Sequence, residues 1–160
     1  MRALLQRVNR ATVRVLAPAG TSPAGGPPAE VESSVGRGLL ILLGVGAGDD
    51  AKAAERLAEK CVHLRIFPDE QGKFSRSLID VGGGALVVSQ FTLYGDCSKG
   101  RRPEFTGAMP TAQAEPLYQC FLKEMAGRGV LCRSGEFGAR MEVELVNDGP
   151  VTVWLDSAQL

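Results

Sequence analysis

Histidine is nearly missing from this chain. Its 160 residues include one, His63. That scarcity removes the usual base of Ser-His-Asp and Cys-His hydrolases, and it removes a histidine-based zinc site. His63 falls nearly opposite the apolar stripe of its own helix and reads as a solvated surface residue. Net charge is missing too, since Lys plus Arg and Asp plus Glu each number 18. No global field draws such a protein onto nucleic acid, so any contact of that kind is local and modest in area. The four cysteines, Cys61, Cys97, Cys120 and Cys132, form no C-x-x-C pair and no metal-finger spacing. Neither a metal nor any other cofactor is expected. Cys97 lies in a polar loop without a neighbouring base and reads as a plain thiol. The longest apolar run, LLILLGVGA, falls far short of a membrane span. The opening MRALLQRVNRATVRV has no apolar stretch of signal-peptide length. The expectation is a cytoplasmic protein with reduced thiols and no membrane partner.

What is present is an ordinary globular composition, 44% hydrophobic and 22% charged. The length suits one domain over 1–160 with a real core. Leu4 to Val15 alternates as a strand does. The segment 17–29, APAGTSPAGGPPA, is rich in Pro and Gly and reads as a flexible hairpin loop. Val31 to Val35 reads as a short return strand. Leu39 to Val45 is continuously apolar, as a strand covered on both faces would be. Asp49 and Asp50 open a helix as capping carboxylates. Its stripe is Ala54, Leu57, Ala58, Cys61 and Leu64. FPDEQGK reads as a loop. Gly82 to Gly84 lead into a second buried strand, Ala85 to Leu93, and YGDCSKGRRPEF follows as a polar loop. A second helix is expected from Thr111 to Ala126, with Leu117, Phe121, Leu122 and Met125 inward and Pro116 oddly deep within it. Met141, Val143 and Leu145 alternate with Glu142 and Glu144 as an antiparallel strand. The fold class expected is α/β: a single domain with a mostly antiparallel, barrel-like sheet and two main helices.

Three stretches invite a chemical reading. GVGAGDD, 44–50, sits between a strand and a helix like a dinucleotide fingerprint. Its third glycine position is Asp49, however, and Asp50 follows. Two carboxylates there repel a pyrophosphate, so a tight turn plus a cap is the better reading. VVSQFTLYGD, 87–96, places Ser89, Gln90 and Thr92 among apolar residues at a strand end. Buried hydroxyls and amides are costly unless paired. Either they bond to a neighbouring strand or they offer donors to a polar ligand. LVNDGPVTVWL, 145–155, holds Gly149 and Pro150 inside an alternating pattern. Asn147-Asp148-Gly149 is a hairpin signal, with Pro150 starting the next strand where its missing N–H costs least. The competing reading is a cis Gly-Pro bond, which would turn two carbonyls to the same side as a rigid polar wall.

SQFTL at 89–93 together with NDGPVT at 147–152 resembles the paired signature of D-aminoacyl-tRNA deacylases. The likeness extends through MRALLQRV, FPDEQGK, RRPEF and GEFGARMEVELVNDGPVT. The loop at 17–29 is longer than the family usually has, and Pro116 is a second departure. The resemblance implies hydrolysis of the ester joining a D-amino acid, or glycine, to the terminal adenosine of tRNA. It implies a homodimer with its active site at the interface, where Ser89, Gln90, Phe91 and Thr92 of one subunit face Gly149 and a cis Pro150 of the other. In that arrangement Gly149 and Pro150 are a chirality gate, fixed by Arg7. Phe137 and Met141 lie beside the adenosine, and Asn147 and Asp148 belong to the same substrate-binding motif. Backbone N–H groups near Gln90 and Phe91 would form an oxyanion hole for an attacking water, with Thr92 as the competing nucleophile. Lys99, Arg101 and Arg102 form a compact basic cluster expected to touch tRNA backbone, unless it is merely a solvated loop. Two other classes remain: a non-catalytic module binding the tRNA 3′ end, and a stand-alone relative of a threonyl-tRNA synthetase editing domain.

Overall fold

The computed structural model describes residues 1–16 and 31–160. The hairpin loop expected over 17–29 lies outside the described residues. The spine of the fold is β1 (Arg2–Val15), whose Ala3, Leu5, Val8, Ala11 and Val13 are buried. One edge of β1 pairs antiparallel with β8 (Met141–Asp156) over nearly its full length. The other edge takes β3 (Gly38–Gly44) along its first half and β2 (Val31–Val35) along its second, both antiparallel. Beyond β3 the sheet continues in parallel through β6 (Gly84–Ser89) and β7 (Leu131–Ser134). Parallel neighbours need a crossover. Here α1 (Ala51–His63) connects β3 towards β6, and α2 (Thr111–Gly127) connects β6 to β7. The result is one α/β domain with a nearly closed mixed sheet and two helices.

Two apolar clusters hold it. The larger lies between the sheet and the helices and includes Leu5, Leu39, Ile41, Leu57, Phe121 and Met125. The smaller fills the curl of the sheet with Val8, Val13, Leu40, Leu86 and Val88. Each fully buried side chain of this size contributes about 1.5–3 kcal/mol. The sheet also relies on a backbone contact. A Cβ on Gly38 would stand 1.8 Å from the Gly84 carbonyl oxygen, so β3 and β6 pair there only because position 38 is glycine.

Several expectations need correction. The Asn147-Asp148-Gly149 hairpin does not exist. β8 runs through the segment as one strand, and the pairing passes from Gln6↔Thr152 to Val8↔Asn147. Asp148 to Val151 therefore bulge out opposite Arg7 alone, and Gly149–Pro150 is a cis peptide. The strand expected to reach Leu93 stops at Ser89, and Phe91–Tyr94 turns as a short 3₁₀ segment. FPDEQGK begins a small hairpin of β4 (Phe67–Pro68) and β5 (Phe74–Arg76). Its turn is closed by Asp69, which accepts from Gln71 N, Lys73 N and Ser75 Oγ, and these bonds hold the carboxyl below its ordinary range. Leu64 lies past the end of α1 and is only half-buried, while Ala53 and Val62 join the stripe. In α2 the inward residues are Ala114, Tyr118, Phe121 and Met125, with Leu117 and Leu122 half-buried. Pro116 does sit inside α2. It and Ala112, whose carbonyl its missing N–H leaves free, are both exposed, so water replaces the lost bond. Asp50 caps α1 through Ala53 N as expected. Asp49 instead accepts from Gly46 N at 2.6 Å and from the Met1 ammonium, which closes the turn and leaves no cradle for a phosphate.

Candidate active site

The carboxyl ends of β3 and β6 lie side by side, with Leu43 paired to Ser89. Open α/β sheets take ligands at such ends. A cavity of about 540 Å³ opens there, and its wall includes Ser89, Gln90, Phe91, Phe105, Phe137 and Met141. Five residues that the sequence singled out from distant segments thus meet in one place. Gln90 ends the ladder by donating its N–H to Leu43 O at 2.8 Å. The chain then bends into the 3₁₀ segment, which no side chain caps. The first N–H groups of such a turn have no carbonyl behind them. That of Phe91, a residue of the cavity wall, is the donor on offer, whereas the Gln90 N–H, expected beside it, is already committed. Thr92 does not line the cavity, and its hydroxyl accepts from the Gln90 side-chain amide. Phe91 is 58% exposed and meets Phe105 edge to face at 5.0 Å. Phe137 rests on Tyr118 at 5.3 Å. Tyr118 is anchored by donating to Val87 O at 2.9 Å, and burial pushes its phenol pKa up, so it stays a donor.

Gly149 and Pro150 belong to a different surface. Neither lines this cavity, and both are exposed. What lies behind them is rigidly organised. Arg7, only 6% exposed, donates to Ile66 O at 2.6 Å and holds Asp148 Oδ2 at 2.8 Å from its Nε. Its guanidinium also lies over the Phe74 ring at 5.3 Å. Asn147 donates to Arg7 O at 2.8 Å and to Val151 O at 3.3 Å, and it accepts from Gln6 Nε2 at 3.2 Å. Asn147 and Asp148 therefore tie down the two sides of the bulge, Asn147 through backbone carbonyls and Asp148 through Arg7. Gly149 has φ +116°, and a Cβ there would lie 2.7 Å from Val151 Cγ2 and 3.1 Å from Arg7 Nη2. Only glycine fits.

Lys99, Arg101 and Arg102 are exposed on the loop whose later residue Phe105 walls the cavity. The loop is pinched by Asp96 pairing with Glu104, and Asp96 also accepts from Ser98 N. Cys97 is exposed and Cys61 is buried. Among the described residues no three His, Cys, Asp or Glu side chains gather as a metal site. No helix among them is long and apolar enough to cross a membrane. Sequence reasoning missed Phe105 and Met109 in the wall. Both lie in loop sequence, where apolar residues carry no periodic signal.

A cavity at the ends of parallel strands, with the start of a short turn at its wall, is the kind of site where α/β enzymes take a small polar group. Residues 4–156 match the family described as D-Tyr-tRNA(Tyr) deacylase. The chain is 56% identical over 160 residues to the D-aminoacyl-tRNA deacylase of Thermomicrobium roseum, covering 100% of this chain and 96% of that protein. It is 52% identical over 158 residues to the D-aminoacyl-tRNA deacylase of Roseiflexus castenholzii, covering 99% and 93%. A solved structure named c-Myc DNA Unwinding Element Binding Protein is similar at TM-score 0.82 and 43% identity, with 98% of each chain covered. A probable eukaryotic D-amino acid tRNA deacylase shares the fold at TM-score 0.78 and 19% identity, over 96% of this chain and 97% of that one. The chain belongs to the D-Tyr-tRNA(Tyr) deacylase family, and it is an enzyme of the hydrolase class.

Proposed function

We propose that this protein hydrolyses the ester between a D-amino acid, or glycine, and the terminal adenosine of tRNA, and spares the L-aminoacyl ester. The observation that carries the reading is the presence of two separate built surfaces on one chain. One is the cavity with Ser89, Gln90, Phe91, Phe137 and Met141; the other is the exposed Gly149–Pro150 step braced by Arg7, Asp148 and Asn147. In a homodimer each copy lends its Gly-Pro step to the cavity of the other. Trp154 and Phe91, 45% and 58% exposed, are the kind of apolar surface a second copy covers. The terminal adenosine lies along Phe137 and Met141. The main-chain oxygens of Gly149 and Pro150 occupy the space an L side chain needs. Glycine passes and D side chains point outward unread. Exclusion of this sort outperforms a pocket that senses one apolar group, which gains about 1–3 kcal/mol.

An aminoacyl ester is already activated, so the chemistry asked of the protein is small. The Phe91 N–H stabilises the developing oxyanion, where one such donor is worth about 3 kcal/mol. Water attacks, positioned with help from the neighbouring ribose hydroxyl. Thr92, outside the cavity wall and hydrogen-bonded to Gln90, has no base to activate it. Lys99, Arg101 and Arg102 contact the tRNA backbone. Such an enzyme works in the cytoplasm, where tRNA is charged. The test is to follow ester loss from D-tyrosyl-, L-tyrosyl- and L-seryl-tRNA. Loss of the D-tyrosyl ester with the L-tyrosyl ester intact is the expected result. No loss from any of them makes the protein a 3′-end binder, and preferential loss of the L-seryl ester makes it an editing relative.

A further inference from the structure

The 3₁₀ segment Phe91–Tyr94 begins with the proposed oxyanion donor, Phe91 N–H, yet little of it is held from within. Its internal bonds are Leu93 N to Gln90 O at 3.3 Å and Gly95 N to Thr92 O at 3.0 Å, and no residue of the segment is buried. So short a turn does not fix its own position. Its start is anchored by Gln90 N on Leu43 O. Its end is held by Tyr94, whose hydroxyl reaches Asp49, and by one side chain from β1 that bonds the turn's own backbone.

We propose that Arg2 is a positioning residue for deacylation, clamping the end of this turn so that the Phe91 N–H faces the cavity. The inference rests on the reading of that turn as the oxyanion site. Arg2 Nη1 donates to Leu93 O at 3.0 Å, and Arg2 Nε donates to Asp156 Oδ2 at 3.2 Å. The guanidinium carbon lies 4.3 Å from the centre of the Tyr94 ring and 5.7 Å from that of Trp154. One planar cation thus joins the turn, the end of β8 and two aromatic faces, a task for a fork and not for a point charge. Tyr94 is itself seated in a slot cut by glycines. A Cβ at Gly46 would lie 2.5 Å from its ring, and one at Gly44 would lie 3.1 Å from it. Its hydroxyl donates to Asp49 Oδ2 at 3.3 Å. Asp156 is held in turn by Ala158 N at 3.0 Å. Arg2 does not line the cavity, so it acts through the turn and not on the substrate.

The test compares wild type with Arg2→Lys and Arg2→Ala on D-tyrosyl-tRNA, with melting temperature and amide hydrogen exchange measured alongside. Arg2→Lys keeps the charge and most of the stem, so it folds. Its kcat is expected to fall about tenfold to a hundredfold with KM unchanged, because a misplaced donor weakens only the transition state. The Leu93 and Gly95 amides should exchange faster, and added ethylguanidinium should restore part of the kcat of Arg2→Ala. An unchanged kcat, a rise in KM alone, or unaltered exchange of those amides in Arg2→Lys overturns the inference while leaving the deacylase reading intact. Wild type without activity on the D-ester overturns both.

Discussion

At the scale of single residues, the chemistry turns on which groups are free and which are engaged. The Gln90 N–H looked available from the sequence, but Leu43 O takes it. Thr92 looked like a candidate nucleophile, yet its hydroxyl is bonded to the Gln90 amide and it is absent from the cavity wall. Thr92→Ala is therefore expected to keep turnover near that of wild type in a single-turnover assay on D-tyrosyl-tRNA. A loss of several orders of magnitude would make the hydroxyl the nucleophile after all. Residue types suggested polar donors at Ser89 and Gln90, and the family resemblance added Phe91, Phe137 and Met141 to the same site. Their free and occupied hydrogen bonds were not legible, because those depend on where the strand ends. The strand ends at Ser89, since beyond it Tyr94 drops into the slot left by Gly44 and Gly46.

At the scale of elements, most of the periodic signal survived, as did the tight turn and cap at Asp49 and Asp50, but the hairpin signal at Asn147-Asp148-Gly149 did not. β1, β3 and the stripe of α1 follow from alternation or helical spacing, because one face of each is buried against a continuous core. Asn147-Asp148-Gly149 misled for a physical reason. A hairpin turn and a bulge use the same residues, and only pairing with a distant strand distinguishes them. Here β1 supplies that partner, and Arg7 stands alone opposite Asp148 to Val151. Asn147 is the brace of the bulge, with bonds to Arg7 O, Val151 O and Gln6 Nε2. Asn147→Ala leaves the Arg7 carbonyl without that partner, at a cost of about 1–3 kcal/mol. The urea midpoint should fall accordingly, and L-tyrosyl ester loss should rise relative to D-tyrosyl. Unchanged midpoint and selectivity would mean that the bulge needs no brace. The parallel pairs β3–β6 and β6–β7 also escaped the sequence reading, although the unbroken apolar run of β3 is what burial on both faces produces.

At the scale of the whole molecule, a chain with no net charge works on a polyanion. The two are compatible if the protein meets only the acceptor end, with Lys99, Arg101 and Arg102 on the loop that also walls the cavity. Replacing all three with Gln should flatten the salt dependence of tRNA binding by about 0.7–0.9 in log–log slope for each phosphate no longer neutralised. An unchanged slope would make the cluster a solvated loop. The central claim concerns shape: the gate excludes by volume and does not read side chains. It is tested most directly by the hydrolysis rates of wild type on glycyl-, L-alanyl-, D-alanyl- and D-tyrosyl-tRNA. Exclusion by volume predicts comparable cleavage of the glycyl and both D-esters, with the L-alanyl ester spared although it adds a single methyl group to glycine. Cleavage of L-alanyl-tRNA at the glycyl rate would contradict it.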